Sequence, residues 1–132
     1  MKISTKGRYA LRMLIDLAEN KDQGFVSLKD IAERQSISRK YLEQIVQLLN
    51  KTDMLKTSRG YNGGYMLAKD PSEYKVIDIL ELTEGNLACV SCLEDEVNEC
   101  KRAGFCKSLK VWQGLDNVIK NYLSSITLQD LI

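Results

Sequence analysis

A chain of 132 residues, 44% of them hydrophobic, can bury one substantial core, and it contains no apolar run long enough to cross a bilayer. The net charge of +1 conceals an asymmetry about Pro71: residues 1–70 carry 13 Lys and Arg against 8 Asp and Glu, whereas residues 71–132 carry 6 against 10. There is no histidine, which excludes histidine-ligated zinc and Ser-His or Cys-His catalysis, so an enzyme is not expected.

A basic front half and an acidic back half suit a DNA-binding domain over 1–70 joined to a segment, 71–132, with another task. The amino terminus, Met1-Lys2-Ile3-Ser4, lacks an apolar signal region. The four cysteines are therefore expected in a reducing cytoplasm, where metal or redox chemistry is a better reading than a disulfide framework.

In chain order, Ser4 or Thr5 can cap a helix reaching about Asn20, with Ala10, Leu11, Leu14, Leu17 and Ala18 as its buried stripe. Lys6, Arg8 and Arg12 near its start oppose the helix dipole, which a phosphate contact or plain solvation would explain. After the polar turn Lys21-Asp22-Gln23-Gly24, Ser27-Leu28-Lys29-Asp30 has the form of a capping box opening a second helix, with Leu28, Ile31 and Ala32 inward. Gln35-Ser36-Ile37 makes the tight connection to a third helix.

That third helix puts Leu42, Ile45, Val46 and Leu49 on one stripe and leaves Lys40, Glu43, Gln44 and Gln47 on the other. One face packs and the other can read base edges. Gln44 or Gln47 suits adenine, Arg39 or Lys40 guanine or phosphate, and Glu43 a cytosine amino group, unless it is paired with Lys40; Ser38 stands at the helix start.

Leu55–Ser58 and Tyr65–Leu67 then alternate as two short strands around Arg59-Gly60-Tyr61-Asn62-Gly63-Gly64, where Asn62-Gly63 is expected to take positive φ. A reading helix followed at once by a basic, glycine-tipped hairpin is the pattern of a winged helix-turn-helix. The helix suits the major groove of double-stranded DNA, and the hairpin, with Arg59 as its finger, the minor groove.

Past Asp70-Pro71, Val76–Leu82 forms a short amphipathic helix that Gly85 can end. From Lys107 a long helix carries Leu109, Trp112, Leu115, Val118 or Ile119, Tyr122 and Ile126 at three- and four-residue steps, more apolar face than a small winged domain needs to cover itself. It reads as a two-fold dimerisation helix. Thr127-Leu128-Gln129-Asp130 can open a last short helix. The predicted fold class is mainly α with a small β-hairpin: a winged helix-turn-helix with a long C-terminal dimerisation helix.

All four cysteines fall between Asn86 and Cys106. Cys92, Cys100 and Cys106 are irregularly spaced, with Cys89 forming a C-x-x-C pair with Cys92. Iron–sulfur clusters are held chiefly by thiolates, and an irregular segment can wrap one. Structural zinc favours two close-spaced pairs, of which there is one here, and a thioredoxin-like pair lacks its strand-helix context.

Met1 through Ala10, Ser27 through Ala32, Tyr41-Leu42-Glu43-Gln44, and Arg59-Gly60 with Gly63-Gly64-Tyr65 together resemble the Rrf2 family of bacterial transcription regulators over essentially the whole chain. The resemblance implies a winged-helix homodimer, and in its cluster-sensing branch an iron–sulfur cluster, 2Fe-2S or 4Fe-4S, held by residues matching Cys92, Cys100 and Cys106. It also implies DNA contacts by Glu43 and Arg59. Some members of the family take a fourth ligand from a histidine where this chain has Leu109, and others from an acidic residue where it has Arg8. Cys89, Glu94, Glu99 or a small molecule are the alternatives. A second branch controls cysteine and sulfur metabolism through a partner enzyme without a cluster, and the amino terminus resembles that branch. The expectation is a cytoplasmic, DNA-binding repressor with Ser38, Arg39, Lys40, Glu43, Gln44, Gln47, Arg59, Gly60, Tyr61, Asn62 and Gly63 facing DNA, and with no membrane partner.

Overall fold

The computed structural model describes residues 1–132. Helix α1 runs Thr5–Glu19, with Ser4 Oγ accepting from Gly7 N at 3.0 Å as its N-cap. No acid lies in its first turn, but Glu84 Oε1 accepts from both N and Oγ of Ser4 at 2.7 Å. That carboxylate supplies the negative charge the helix dipole favours, so the tolerance of Lys6 and Arg8 needs no phosphate. Gly7 leaves room for this approach, because a β-carbon on it would crowd the end of the Glu84 side chain and make it shift.

Helix α2 spans Leu28–Gln35, capped by Ser27 Oγ, which accepts from Asp30 N at 3.2 Å. Only this half of the expected capping box forms, since Asp30 makes no return bond to Ser27. Ser36 turns the chain in the left-handed region (φ 54°), Ile37 is buried, and α3 follows over Arg39–Leu49 with Ser38 Oγ accepting from Tyr41 N at 3.1 Å. The expected stripe of α3, Leu42, Ile45, Val46 and Leu49, is buried against Ala10, Met13, Leu14 and Leu17 of α1. Leu11, expected inward, is only half-buried, and Met13 takes a fully buried place that periodicity did not give it. The reason is that α1 is covered on more than one side, so its buried face is wider than a single stripe.

Strands β1 (Leu55–Ser58) and β2 (Gly64–Leu67) pair antiparallel, Leu55 opposite Leu67 and Ser58 opposite Gly64. The chain ahead of α2 joins them: Val26 N donates to Tyr65 O and Tyr65 N to Val26 O, both at 2.8 Å. A β-carbon on Gly64 would run into the Val26 carbonyl, so glycine lets this third segment close on the hairpin. The positive φ expected at Asn62-Gly63 is instead at Gly60 (φ 108°), with Gly63 N donating to Gly60 O at 3.1 Å. The connection spans five residues, and in so long a loop the turn can close away from the Asn-Gly pair that a two-residue hairpin would use.

A 3₁₀ turn at Pro71–Glu73, capped by Asp70, leads to Tyr74, whose buried hydroxyl donates to Met54 O at 2.5 Å and accepts from Ala68 N at 3.0 Å. Helix α4 covers Val76–Glu84 and ends at Gly85 (φ 76°). Tyr74, Ile79 and Leu128 belong to the same buried cluster as α1 and α3, so one core runs across Pro71. Residues 86–108 are irregular apart from a 3₁₀ turn at Ser91–Leu93, after which α5 spans Leu109–Ser125 and a capped turn at Leu128–Leu131 closes the chain. No helix is long and apolar enough to cross a membrane.

Candidate nucleic-acid interface and cysteine segment

The helix-turn-helix is pinned by a network that sequence reading did not find. Asp16 is 2% exposed and takes two bonds from Arg34, Nη2 to Oδ1 at 2.7 Å and Nε to Oδ2 at 3.0 Å, and a third from Gln35 Nε2 at 3.0 Å. Arg12 donates to Gln35 Oε1 at 3.3 Å and to the Gln35 carbonyl, an unpartnered acceptor at the end of α2. Four side chains, Arg12 and Asp16 of α1 with Arg34 and Gln35 of α2, therefore fix the end of α2 and the turn that follows it against α1. The bond to Asp16 holds the Arg34 guanidinium above its already high ordinary value, and the nearby charges of Asp16 and Asp30 add to it. The guanidinium of Arg12 also lies 5.1 Å from the ring centre of Tyr9, which meets Tyr41 edge-on at 5.5 Å and so steadies the first turn of α3.

What α3 presents outward is uniformly polar. Ser38, Arg39, Lys40, Glu43, Gln44 and Gln47 are all exposed. Arg39 and Lys40 stand in a first turn without any acid, where their charge opposes the helix dipole. Glu43 makes no ion pair with Lys40, since the ion pairs of the chain are Asp16–Arg34, Asp53–Lys69 and Asp116–Lys120. At the tip of the wing Arg59, Gly60, Tyr61 and Asn62 are exposed, Tyr61 completely, while Gly63 is half-buried where it closes the turn. Sequence reading missed Phe25, an exposed aromatic that shares a cleft with Tyr61 and Asn62; its one signal was a bulky apolar residue two places ahead of the cap at Ser27.

The four thiols are free, and they do not share one environment. Cys92 and Cys100 line a single cavity of about 280 Å³, Cys106 lies outside it, and Cys89 lines a separate cleft beside Met1 and Glu84. No three ligating side chains are gathered within reach of one ion. The Cys106 thiol is held below the ordinary value, chiefly by the Ser108 hydroxyl 3.3 Å from its Sγ, with backbone N–H groups and the charge of Arg102 adding. That favours thiolate, the form in which cysteine serves as a ligand.

Helix α5 buries only one residue, Asp116, ion-paired with Lys120 at 2.9 Å. Val111, Trp112, Leu115, Val118 and Tyr122 are exposed on it. Ile126, expected on that stripe, lies just past the end of the helix and packs inward with Leu123 against Val76 and Leu80, because the chain there turns back onto α4, with Val76 N donating to Ile126 O at 2.9 Å.

Three helices, a pinned turn and a two-stranded wing define a winged helix-turn-helix of the kind found in transcriptional regulators. The profile of the Rrf2 family, described as iron-dependent transcriptional regulator, matches residues 3–132. The chain is 40% identical over 131 residues to the HTH-type transcriptional regulator CymR of Bacillus subtilis, covering 99% of this chain and 89% of that one. It is 36% identical over 132 residues to the regulator IscR of Photorhabdus laumondii, covering 100% and 79%. Among solved structures, CymR, described as the global cysteine regulator of B. subtilis, superimposes with a TM-score of 0.83 at 36% identity over 99% of this chain and 95% of that one. The IscR of T. potens does so with a TM-score of 0.79 at 40% identity over 99% and 85%. The chain belongs to the Rrf2 family of transcriptional regulators.

Proposed function

We propose that the chain acts as a homodimeric DNA-binding repressor whose hold on its operator is set by an iron–sulfur cluster bound through Cys92, Cys100 and Cys106. The observation that carries this reading is the pairing, in one small chain, of an unpaired polar face on α3 with an irregular segment holding three soft donors between α4 and α5. Glu43, Gln44 and Gln47 read base edges, Arg39 and Lys40 meet guanine or phosphate, Ser38 orients the helix start, and Arg59 through Gly63 enter the minor groove. The exposed apolar stripe of α5 pairs two copies, as the spacing of half-sites on duplex DNA requires.

The chemistry of the donors suits a cluster, although the three cysteines are not gathered around one point in this structure. Thiolates are the usual ligands, and residues 86–108 have no regular helix or strand to hold the three cysteines apart. Bound there, a cluster would supply a group whose presence and charge follow iron and oxidants, and the ordering of this segment would bias the population of DNA-competent dimers.

The likeness to CymR favours a second reading, a cluster-free regulator of cysteine and sulfur metabolism acting through a partner enzyme. One measurement separates the two: iron, zinc and acid-labile sulfide content with a visible spectrum, on protein purified without oxygen. Iron and sulfide in similar amounts with charge-transfer absorption support the sensor. Zinc alone, or no metal, moves the function to the second reading and leaves the DNA-binding assignment intact.

A further inference from the structure

Spacing groups Cys89 with Cys92 as a C-x-x-C pair, and the fold divides the four thiols differently. Cys89 is fastened to α5, its Sγ donating to the Trp112 carbonyl at 3.4 Å. Cys106 is fastened to the start of the same helix: its carbonyl accepts from Leu109 N at 3.3 Å, and its Sγ lies 3.3 Å from the Ser108 hydroxyl. Cys92 and Cys100 stand between these two anchors, at the ends of a stretch that folds round a cavity of about 280 Å³. Ser91, Cys92, Asp95, Val97, Glu99 and Cys100 line it, so no side chain from elsewhere in the fold enters the space that the two thiols share.

The chain bends back at Asn98, whose Oδ1 accepts from Cys100 N at 2.9 Å. None of the backbone N–H groups of residues 95–99 donates to another backbone group. Drawing the two α-carbons to the roughly 4.4–6.8 Å of a disulfide therefore breaks no helix or strand, and so short a ring costs little closure entropy. Closing Cys89 on Cys92 would instead pull Cys89 away from its bond to α5.

We propose that Cys92 and Cys100 are a redox site, closed to an internal disulfide by low-molecular-weight disulfides, and that the C-x-x-C pair Cys89–Cys92 does not close. Cys100 is exposed and Cys92 half-buried, so Cys100 meets the reagent, RSSR, first. Its thiolate attacks one sulfur of RSSR and expels RS⁻. The Cys92 thiolate then attacks Sγ of Cys100 in the mixed disulfide, forming the Cys92–Cys100 bond and expelling the second RS⁻. The two electrons and two protons of the protein thiols end on two molecules of RSH. The ring forms in the metal-free chain, whether or not that chain ever carries a cluster. Its effect on function rests on the cluster reading given above: a closed ring withholds two of the three proposed ligands, so the oxidised chain does not load until a thiol reductant reopens it.

The test uses the full wild-type chain, reduced, stripped of metal and treated with oxidised glutathione. Remaining thiols are alkylated, the chain is cleaved after glutamate, and linked peptides are sequenced by mass spectrometry; cuts after Glu94 and Glu99 separate Cys92 from Cys100. In the expected result Cys92 and Cys100 are joined within one chain, Cys89 and Cys106 are alkylated, and Cys89→Ala gives the same link. Cys92→Ala retains glutathione on Cys100. A Cys89–Cys92 link, a link to Cys106 or to a second chain, glutathione retained on the wild type without ring closure, or four alkylated thiols overturns the site. Ferrous iron and sulfide are then offered without oxygen to the reduced and the oxidised chain. Loading of the reduced chain alone is expected. Equal loading of both overturns control of the cluster by the ring, and loading of neither overturns the cluster reading while the peptide map stands.

Discussion

Asp16 and Arg34 face each other across the joint between α1 and α2 with two bonds of 2.7 and 3.0 Å, one partner almost fully buried and the other 39% exposed. The pair holds the end of α2 and the turn at Ser36 that leads into α3, so under the proposed function its loss should disturb DNA binding from a place outside the reading face. Replacing Asp16 by alanine strands Arg34, Gln35 and through it Arg12. The expected cost is about 2–3 kcal/mol in urea unfolding, at the lower side for a broken buried pair because Arg34 stays partly hydrated. Unchanged stability would show that the network is decorative.

Tyr74 ties the base of the wing to the chain after it. Burial pushes its hydroxyl above the ordinary tyrosine value of 10.0, outweighing the N–H bonds from Lys69 and Ala68 that act the other way. A folded value raised above the unfolded one means the stabilisation is fully present below pH 10 and is lost as the pH climbs through the folded value. Tyr74→Phe removes this hydroxyl from the Met54 carbonyl and the Ala68 N–H, which keep their bond to each other at 3.1 Å, and should cost about 0.5–1.5 kcal/mol at neutral pH. In a pH series of unfolding midpoints, the variant should also lose part of the alkaline decline.

On DNA, Glu43 and Arg59 should separate cleanly. Glu43→Ala removes a carboxylate that repels any site without a donor opposite it. A binding selection should recover a relaxed preference at one base position, worth about 1–3 kcal/mol of discrimination, with tighter binding to unrelated duplexes. Arg59→Ala should weaken all sequences alike and lower the slope of log K against log salt by about 1. Interchanged outcomes would reverse the two roles.

The α5 stripe is expected to hold the dimer. Leu115→Glu with Val118→Glu places two carboxylates on a surface that is already exposed in the single chain, so folding should be spared. Light scattering should then report a monomer, and binding to a two-half-site operator should fall at least tenfold while binding to one half-site is kept. A dimer that survives both changes would move the interface elsewhere.

Much of the fold was legible in the order of residues. The caps at Ser4 and Ser27, the apolar stripe of α3, the stop at Gly85 and most of the exposed stripe of α5 follow from local geometry, because a helix start, a helix stop and a 3.6-residue period each act within a few neighbours. The wing was legible as a hairpin, but its turn closes on Gly60, since its place is decided by strand register and by Val26 arriving from outside.

The polar and the paired features were not legible. Asp16 reads as an ordinary helix acid until Arg34, 18 residues on, folds over it. Glu84 reads as a solvated residue at the end of α4 until the start of α1, 80 residues back, is laid against it. The same holds for the cysteine segment, where spacing groups Cys89 with Cys92, and only the path of the chain around α5 sets them in separate environments. Sequence by itself determined which elements form, since propensity, capping and periodicity are short-range. Tertiary structure decided which charges meet and which thiols share a space, because those contacts join residues that nothing local relates.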